Sequence, residues 1–163
     1  MAISLQPYKY KVSKPYNYSF TTDTGFEYFC YFTPYGEYFL EYPEIAPKIF
    51  SFDIELKNTK IKHKGTDKRI ADTVIDIVGE FLMSQINAVV YICDPSDGKG
   101  NARFKKFQSW FEYYTHESSQ IVQISDFLET DSGSLHAVLL VHKKNKLRDQ
   151  FVQAFFNLND GDK

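Results

Sequence analysis

Cysteine is nearly absent from this chain of 163 residues, with Cys30 and Cys93 the only two. They form no CxxC and no Cys/His spacing, so neither a zinc pattern nor a redox motif is present. Each falls inside an apolar, strand-like run, and both are expected as buried free thiols in a reducing cytoplasm. Long hydrophobic runs are lacking as well. No apolar stretch approaches the ~18 residues needed to cross a bilayer, and the opening "MAISLQPYKYKVSKPY" has no apolar signal-peptide core. No membrane partner is therefore expected. An excess of one charge is also missing: 19 basic and 21 acidic residues leave a formal net charge of −2. No global field draws the chain to nucleic acid, which is disfavoured as a partner.

The remaining composition is that of a globular domain, 43% hydrophobic and 25% charged, and the length suits one domain with a real core. Aromatic residues stand out at 17%, with 15 Phe and 12 Tyr against one Trp. They are concentrated in the first third, where the pattern has a period of two. Tyr16/Tyr18/Phe20 ends at Thr-Thr-Asp-Thr-Gly, and Phe26/Tyr28/Cys30/Phe32 ends at Thr-Pro-Tyr-Gly. Tyr38/Leu40/Tyr42 follows, and Phe50/Phe52/Ile54/Leu56 alternates with Ser51/Asp53/Glu55. Alternation bounded by Gly and Pro predicts four strands in an antiparallel meander.

Beyond residue 57 the period changes. Thr66 or Asp67 can cap a helix carrying Ile70, Val74, Ile77/Val78 and Phe81/Leu82 at helical spacing. "AVVYIC" lacks polar alternation, as a central strand covered on both faces would. Residues 101–114 return to helical spacing, with Phe104, Phe107, Phe111 and Tyr114 on one side. "QIVQISDFLE" and "LHAVLLVH", parted by Thr-Asp-Ser-Gly-Ser, predict a hairpin, and a last helix spans about 146–158. The expected order is ββββαβαββα. This is a single α/β (α+β) domain, in which an antiparallel meander continues into a mixed sheet flanked by three helices. Within it, residues 1–14 are an extension, 15–57 the meander, 58–158 the αβαββα portion and 159–163 a fraying tail.

Two polar segments are candidate ligand sites, because each precedes a helix whose first amides can receive an anion. "KIKHKGTDKR" offers Lys62, Lys64, Gly65, Lys68 and Arg69. "DPSDGKGNAR" offers Asp94, Asp97, Gly98, Lys99, Asn101 and Arg103. In the second, Asp94 and Asp97 compete with an anion for the same amides, and the spacing does not match GxxxxGK[ST]. Asp-Pro and Asp-Gly are also ordinary turn formers. If both helices start at one sheet edge, the two basic clusters converge. No metal is expected: two carboxylates three residues apart need a third ligand from elsewhere. His136 and His142 are six apart, roughly 20 Å along a strand, and cannot share a ligand. No catalytic set can be assembled from the sequence.

The tyrosines outnumber the places a core can give them. "GFEYFCYF" sets Phe29 and Tyr31 opposite Phe26, Tyr28, Cys30 and Phe32, so this strand is aromatic on both faces. Either a helix covers the second face or a partner does. Phe29, Tyr31 and Tyr35 are accordingly the candidate interaction residues, since Tyr joins large area to a polar tip.

"YNYSFTTDTGFEYFCYF" followed by "VYICDPSDGKGNARFKKFQSWF" resembles an uncharacterised bacterial family, catalogued as a domain of unknown function. That resemblance implies a small cytosolic bacterial protein and transfers no site residues. At the level of topology, the strand, helix, strand, helix and two strands are similar to the later part of GNAT-type acetyltransferases. There a glycine-rich turn before the first of these helices holds the pyrophosphate of acyl-CoA. "KHKGTDKR" has Gly65 at that turn's first glycine and Asp67 at its second glycine or alanine. Lys105 or Lys106 stands where that family usually has a tyrosine acid. The functional expectation is a non-catalytic binding or protein-interaction module without a cofactor. The alternative is a divergent acyltransferase using acetyl-CoA, an anionic small molecule.

Overall fold

The computed structural model describes residues 5–57, 67–93, 109–110, 120–131 and 133–160. Strands β1 (Tyr10–Lys14), β2 (Asn17–Thr21), β3 (Glu27–Pro34) and β4 (Ile49–Leu56) come first, followed by helix α1 (Lys68–Leu82). Then come β5 (Ala88–Cys93), β6 (Ile121–Thr130), β7 (Gly133–His142) and helix α2 (Arg148–Phe156). The strands form one seven-stranded sheet in the order β1-β2-β3-β4-β5-β7-β6. β4 and β5 are parallel and every other neighbouring pair is antiparallel.

Short turns drive the meander. Between β2 and β3, Gly25 takes φ +90°, and the Thr22 hydroxyl accepts from the Phe26 amide at 3.0 Å. That conformation suits a residue without Cβ. Between β1 and β2 the left-handed residue is Tyr16, at φ 73°. Its ring seats against Phe50 and Phe81, with centroids 4.9 and 5.4 Å away. Apolar packing of this kind offsets the backbone cost of the turn.

Two hydrophobic layers flank the sheet. On one face α1 sets Ile70, Val74, Ile77, Val78, Phe81 and Leu82 against Tyr18, Phe20, Cys30, Phe32, Phe50 and Phe52. Phe81 stacks on Phe32 with centroids 3.9 Å apart and planes 4° from parallel. On the other face Phe151, Ala154 and Phe155 of α2 meet Ala88, Val90, Ala137, Leu139 and Val141. β5 is thus covered on both sides, as its unbroken apolar run predicts.

Two expectations need correction. Residues 38–42 are not a strand. Gly36–Phe39 and Ala46–Lys48 form 3-10 turns, Phe39 is buried, and Tyr38 and Leu40 are 59% and 75% exposed. Pro43 and Pro47 lack the amide that a ladder needs, and Gly36 lies so near Ala46 that a Cβ would come within 2.1 Å of its carbonyl oxygen. The fourth strand of the meander is instead β1, drawn from the segment read as an extension. The helix expected over residues 101–114 lies outside the described residues except for 109–110, which are helical. Trp110 packs on the α1 side of the sheet. Two α-helices, α1 and α2, are described along their whole length, and the rest of the third expected helix lies outside the described residues.

Candidate functional site

The parallel pair sets the geometry of the site. β4 and β5 are joined only by Ile49↔Ala88 and Phe50↔Val89. From Ser51 onward β4 pairs with β3 alone, and from Val90 onward β5 pairs with β7 alone. The sheet is therefore split toward the carboxyl ends of these two strands, the edge at which open α/β sheets collect ligands. α1 runs back along β4, so its amino end lies at that same edge. Tyr28, opposite Leu56 in the register, feels the charge of Asp67 there. The ends of β4 and β5, after which the two basic segments follow in sequence, accordingly lie at one edge. Lys62, Lys64, Gly65, Asp94, Asp97, Gly98, Lys99, Asn101 and Arg103 themselves lie outside the described residues.

The described end of the first segment is built around carboxylates. Asp67 caps α1, its side chain accepting from the Arg69 amide at 2.9 Å. Its other oxygen accepts from the Tyr8 hydroxyl at 2.5 Å. Arg69 is turned toward the chain ahead of β1: its guanidinium donates to the Gln6 and Pro7 carbonyls at 3.0 and 3.3 Å. It pairs with Asp23 at 3.3 Å and lies 3.9 Å over the Tyr8 ring. Arg69 is thus engaged within the fold, and Lys68 beside it is exposed.

A strap of residues completes this corner. The Gln6 amide donates to Asp72 at 3.0 Å and the Tyr8 amide to the Thr73 hydroxyl at 2.8 Å. The Tyr10 hydroxyl is placed to donate to Asp76 at 2.8 Å and to Glu80. A phenol carries one proton, so it serves these two carboxylates one at a time. Burial, then the carboxylates, raise the Tyr8 and Tyr10 hydroxyls above the ordinary tyrosine value. None of these strap residues was singled out by sequence reasoning. The available signal was the spacing of Asp72, Asp76 and Glu80, which puts a polar stripe along α1, together with Tyr8 and Tyr10 at strand spacing.

The candidate interaction residues lie elsewhere. Phe29 and Tyr31 are half-buried on the face of β3 opposite α1, and among the described residues neither belongs to the two hydrophobic layers. The expected helix cover is absent among the described residues, since α2 packs against β5, β7 and the start of β4 instead. Tyr31 donates to Glu55, and this bond is the chief cause of a hydroxyl pushed up to about 12. The Lys57 ammonium sits 4.5 Å from the Phe29 ring centroid. Tyr35 differs, packing partly into the α2 layer with its ring 4.8 Å from Tyr38.

Residues 66–157 match the model of DUF6169, a family of unknown function. The chain belongs to this family. The match begins at the cap of α1 and ends just past α2, so it takes in the parallel crossover and the β6–β7 hairpin but not the aromatic meander. No curated protein and no solved structure matches the chain. The topological resemblance to GNAT-type acetyltransferases gains no support from these comparisons. Among the described residues, no helix is long and apolar enough to cross a membrane.

Proposed function

We propose that this member of the family is a cytoplasmic, non-catalytic binding module that engages another protein through the face of β3 and β4 opposite α1. One observation carries the reading: Phe29 and Tyr31 project from a strand whose other face is core, yet among the described residues both stand outside the two hydrophobic layers. Aromatic anchors of this kind dominate protein interfaces because they bury large area at small entropic cost. The test is a photo-crosslinking residue at position 31, with a control at Asp149 on α2. A saturable adduct from position 31 that disappears in Phe29→Ser, with the thermal midpoint unchanged, supports the reading. Equal labelling from both positions overturns it.

The parting of β4 from β5 favours a second reading, a divergent acyl-CoA-dependent N-acyltransferase. A CoA-like ligand would enter the split, with Lys62, Lys64, Gly65, Lys99 and Arg103 as its candidate phosphate contacts. Asp67 at the α1 cap opposes this, since a carboxylate repels a pyrophosphate. A rise in thermal midpoint with acetyl-CoA or CoA supports the second reading, and no shift at millimolar ligand removes it.

A further inference from the structure

The face of Phe29 and Tyr31 also carries a charge pattern that specifies its partner. In the β3–β4 register Phe29 lies beside Glu55 and Tyr31 beside Asp53. Each aromatic ring thus has a carboxylate as its cross-strand neighbour, where side chains meet directly. Glu27, two residues before Phe29, points to the same face. Lys57 belongs to this face as well, and its ammonium over Phe29 shows that the ring accepts a cation from above. Asp53 is exposed on this face with its carboxyl raised by partial burial, and a cation brought beside it would favour its charged form.

We infer that this surface docks a lysine- or arginine-rich segment of another protein, with cationic side chains laid over Phe29 and Tyr31 and held by Asp53, Glu55 and Glu27. The inference rests on the interaction reading above and adds the chemistry of the partner. Guanidinium groups suit it best, because their planar fork both stacks on rings and meets carboxylates. The attraction between such charges is screened by salt.

The experiment is a fluorescence-anisotropy titration with a labelled peptide of alternating arginine and glycine, beside the same peptide with glutamate for arginine. Three proteins are compared: the unaltered chain, Asp53→Asn/Glu55→Gln, and the control Glu44→Gln/Asp149→Asn. The amide that Glu55→Gln introduces can still accept from Tyr31, so the first pair removes charge with little change of shape, and thermal melts check that each variant folds. We expect the arginine peptide to bind the unaltered chain, to weaken at least ~10-fold in Asp53→Asn/Glu55→Gln and to weaken as salt rises. The control pair is expected to stay within ~2-fold, as a distant charge does. Equal binding by all three proteins, or no binding, overturns the inference. If the glutamate peptide binds instead, or the arginine peptide fails while position 31 still crosslinks in a Phe29-dependent way, the basic partner is wrong and the docking face stands.

Discussion

Tyr8 donates its hydroxyl to Asp67 at 2.5 Å, so the residue that caps α1 also anchors the chain ahead of β1. Two links of the fold, a helix start and a strand entry 59 residues apart in sequence, share one carboxylate. Tyr8→Phe keeps the ring and removes the donor, and should lower stability by about 1–2 kcal/mol. Asp67→Ala removes the cap as well and should cost at least as much, about 1–2 kcal/mol for the cap alone. If the two losses add fully in the double variant, as measured by urea unfolding, the residues do not act as a unit.

Alkali should attack both the strap and the outer face. A tyrosine whose value is raised in the fold contributes stability below the unfolded value of 10.0, lost as pH rises through the folded one. For Tyr31 that window runs from 10.0 to about 12. Tyr8 and Tyr10 are raised too. Phenolate absorbance from Tyr8, Tyr10 and Tyr31 should therefore appear above the ordinary tyrosine range, its last part coincident with unfolding. A single titration near 10 would contradict the hydrogen bonds assigned to these hydroxyls.

On the acid side the sensitive group is His142. It is buried, and the Lys144 amide donates to its Nδ1 at 3.0 Å, a contact that only the neutral ring can accept. Burial, aided by Lys144, lowers its value below 6.5. The unfolded chain then binds the proton first, so stability is full above 6.5 and is lost as pH falls below it. His142→Gln should flatten that part of the stability–pH curve. An unchanged slope would assign it to other groups.

Gly36 and Gly79 should respond oppositely to alanine. At Gly36 the new Cβ meets the Ala46 backbone, which cannot step aside without breaking the 3-10 turns. At Gly79, inside α1, nothing lies within 4 Å. Gly79→Ala should stabilise by about 0.5–1 kcal/mol through helix propensity, while Gly36→Ala should lower the thermal midpoint. Phe81→Ala, which removes the ring stacked on Phe32, should cost about 3–5 kcal/mol.

Cys30 should be chemically silent. It is fully buried, and that burial pushes its thiol up to about 12. Since the thiolate is the reactive form, alkylation of Cys30 in the native protein should track global unfolding. Rapid modification without denaturant would contradict the packing of β3 under α1.

Periodicity carried most of the architecture because it reports which side of an element meets the core. The alternation at Phe50–Leu56, the 3–4 spacing at Ile70–Leu82 and the unbroken run at Ala88–Cys93 each became the element they predict. The same reasoning failed at Tyr38–Tyr42, where apolar residues alternate but two prolines and the Gly36 approach turn the chain into 3-10 turns. It also passed over Tyr10–Lys14, although Tyr8, Tyr10 and Val12 alternate with Lys9, Lys11 and Ser13. At the candidate sites, "KHKGTDKR" offered Thr66 or Asp67 as the cap, of which Asp67 serves, but not the direction of Arg69. A charged side chain goes where its partners are, and Gln6, Pro7 and Asp23 lie far from it in sequence.

The sequence by itself determined β2 to β7, α1 and α2, the aromatic weight of the first third and membership of the family, because local spacing and composition are written residue by residue. Only the tertiary structure decided that β4 and β5 part after two pairs, that Tyr8 and Asp67 bind one another, and that Phe29 and Tyr31 each stand beside a carboxylate outside both core layers. Those relationships depend on which strands become neighbours and in what register, and register is a property of the assembled sheet.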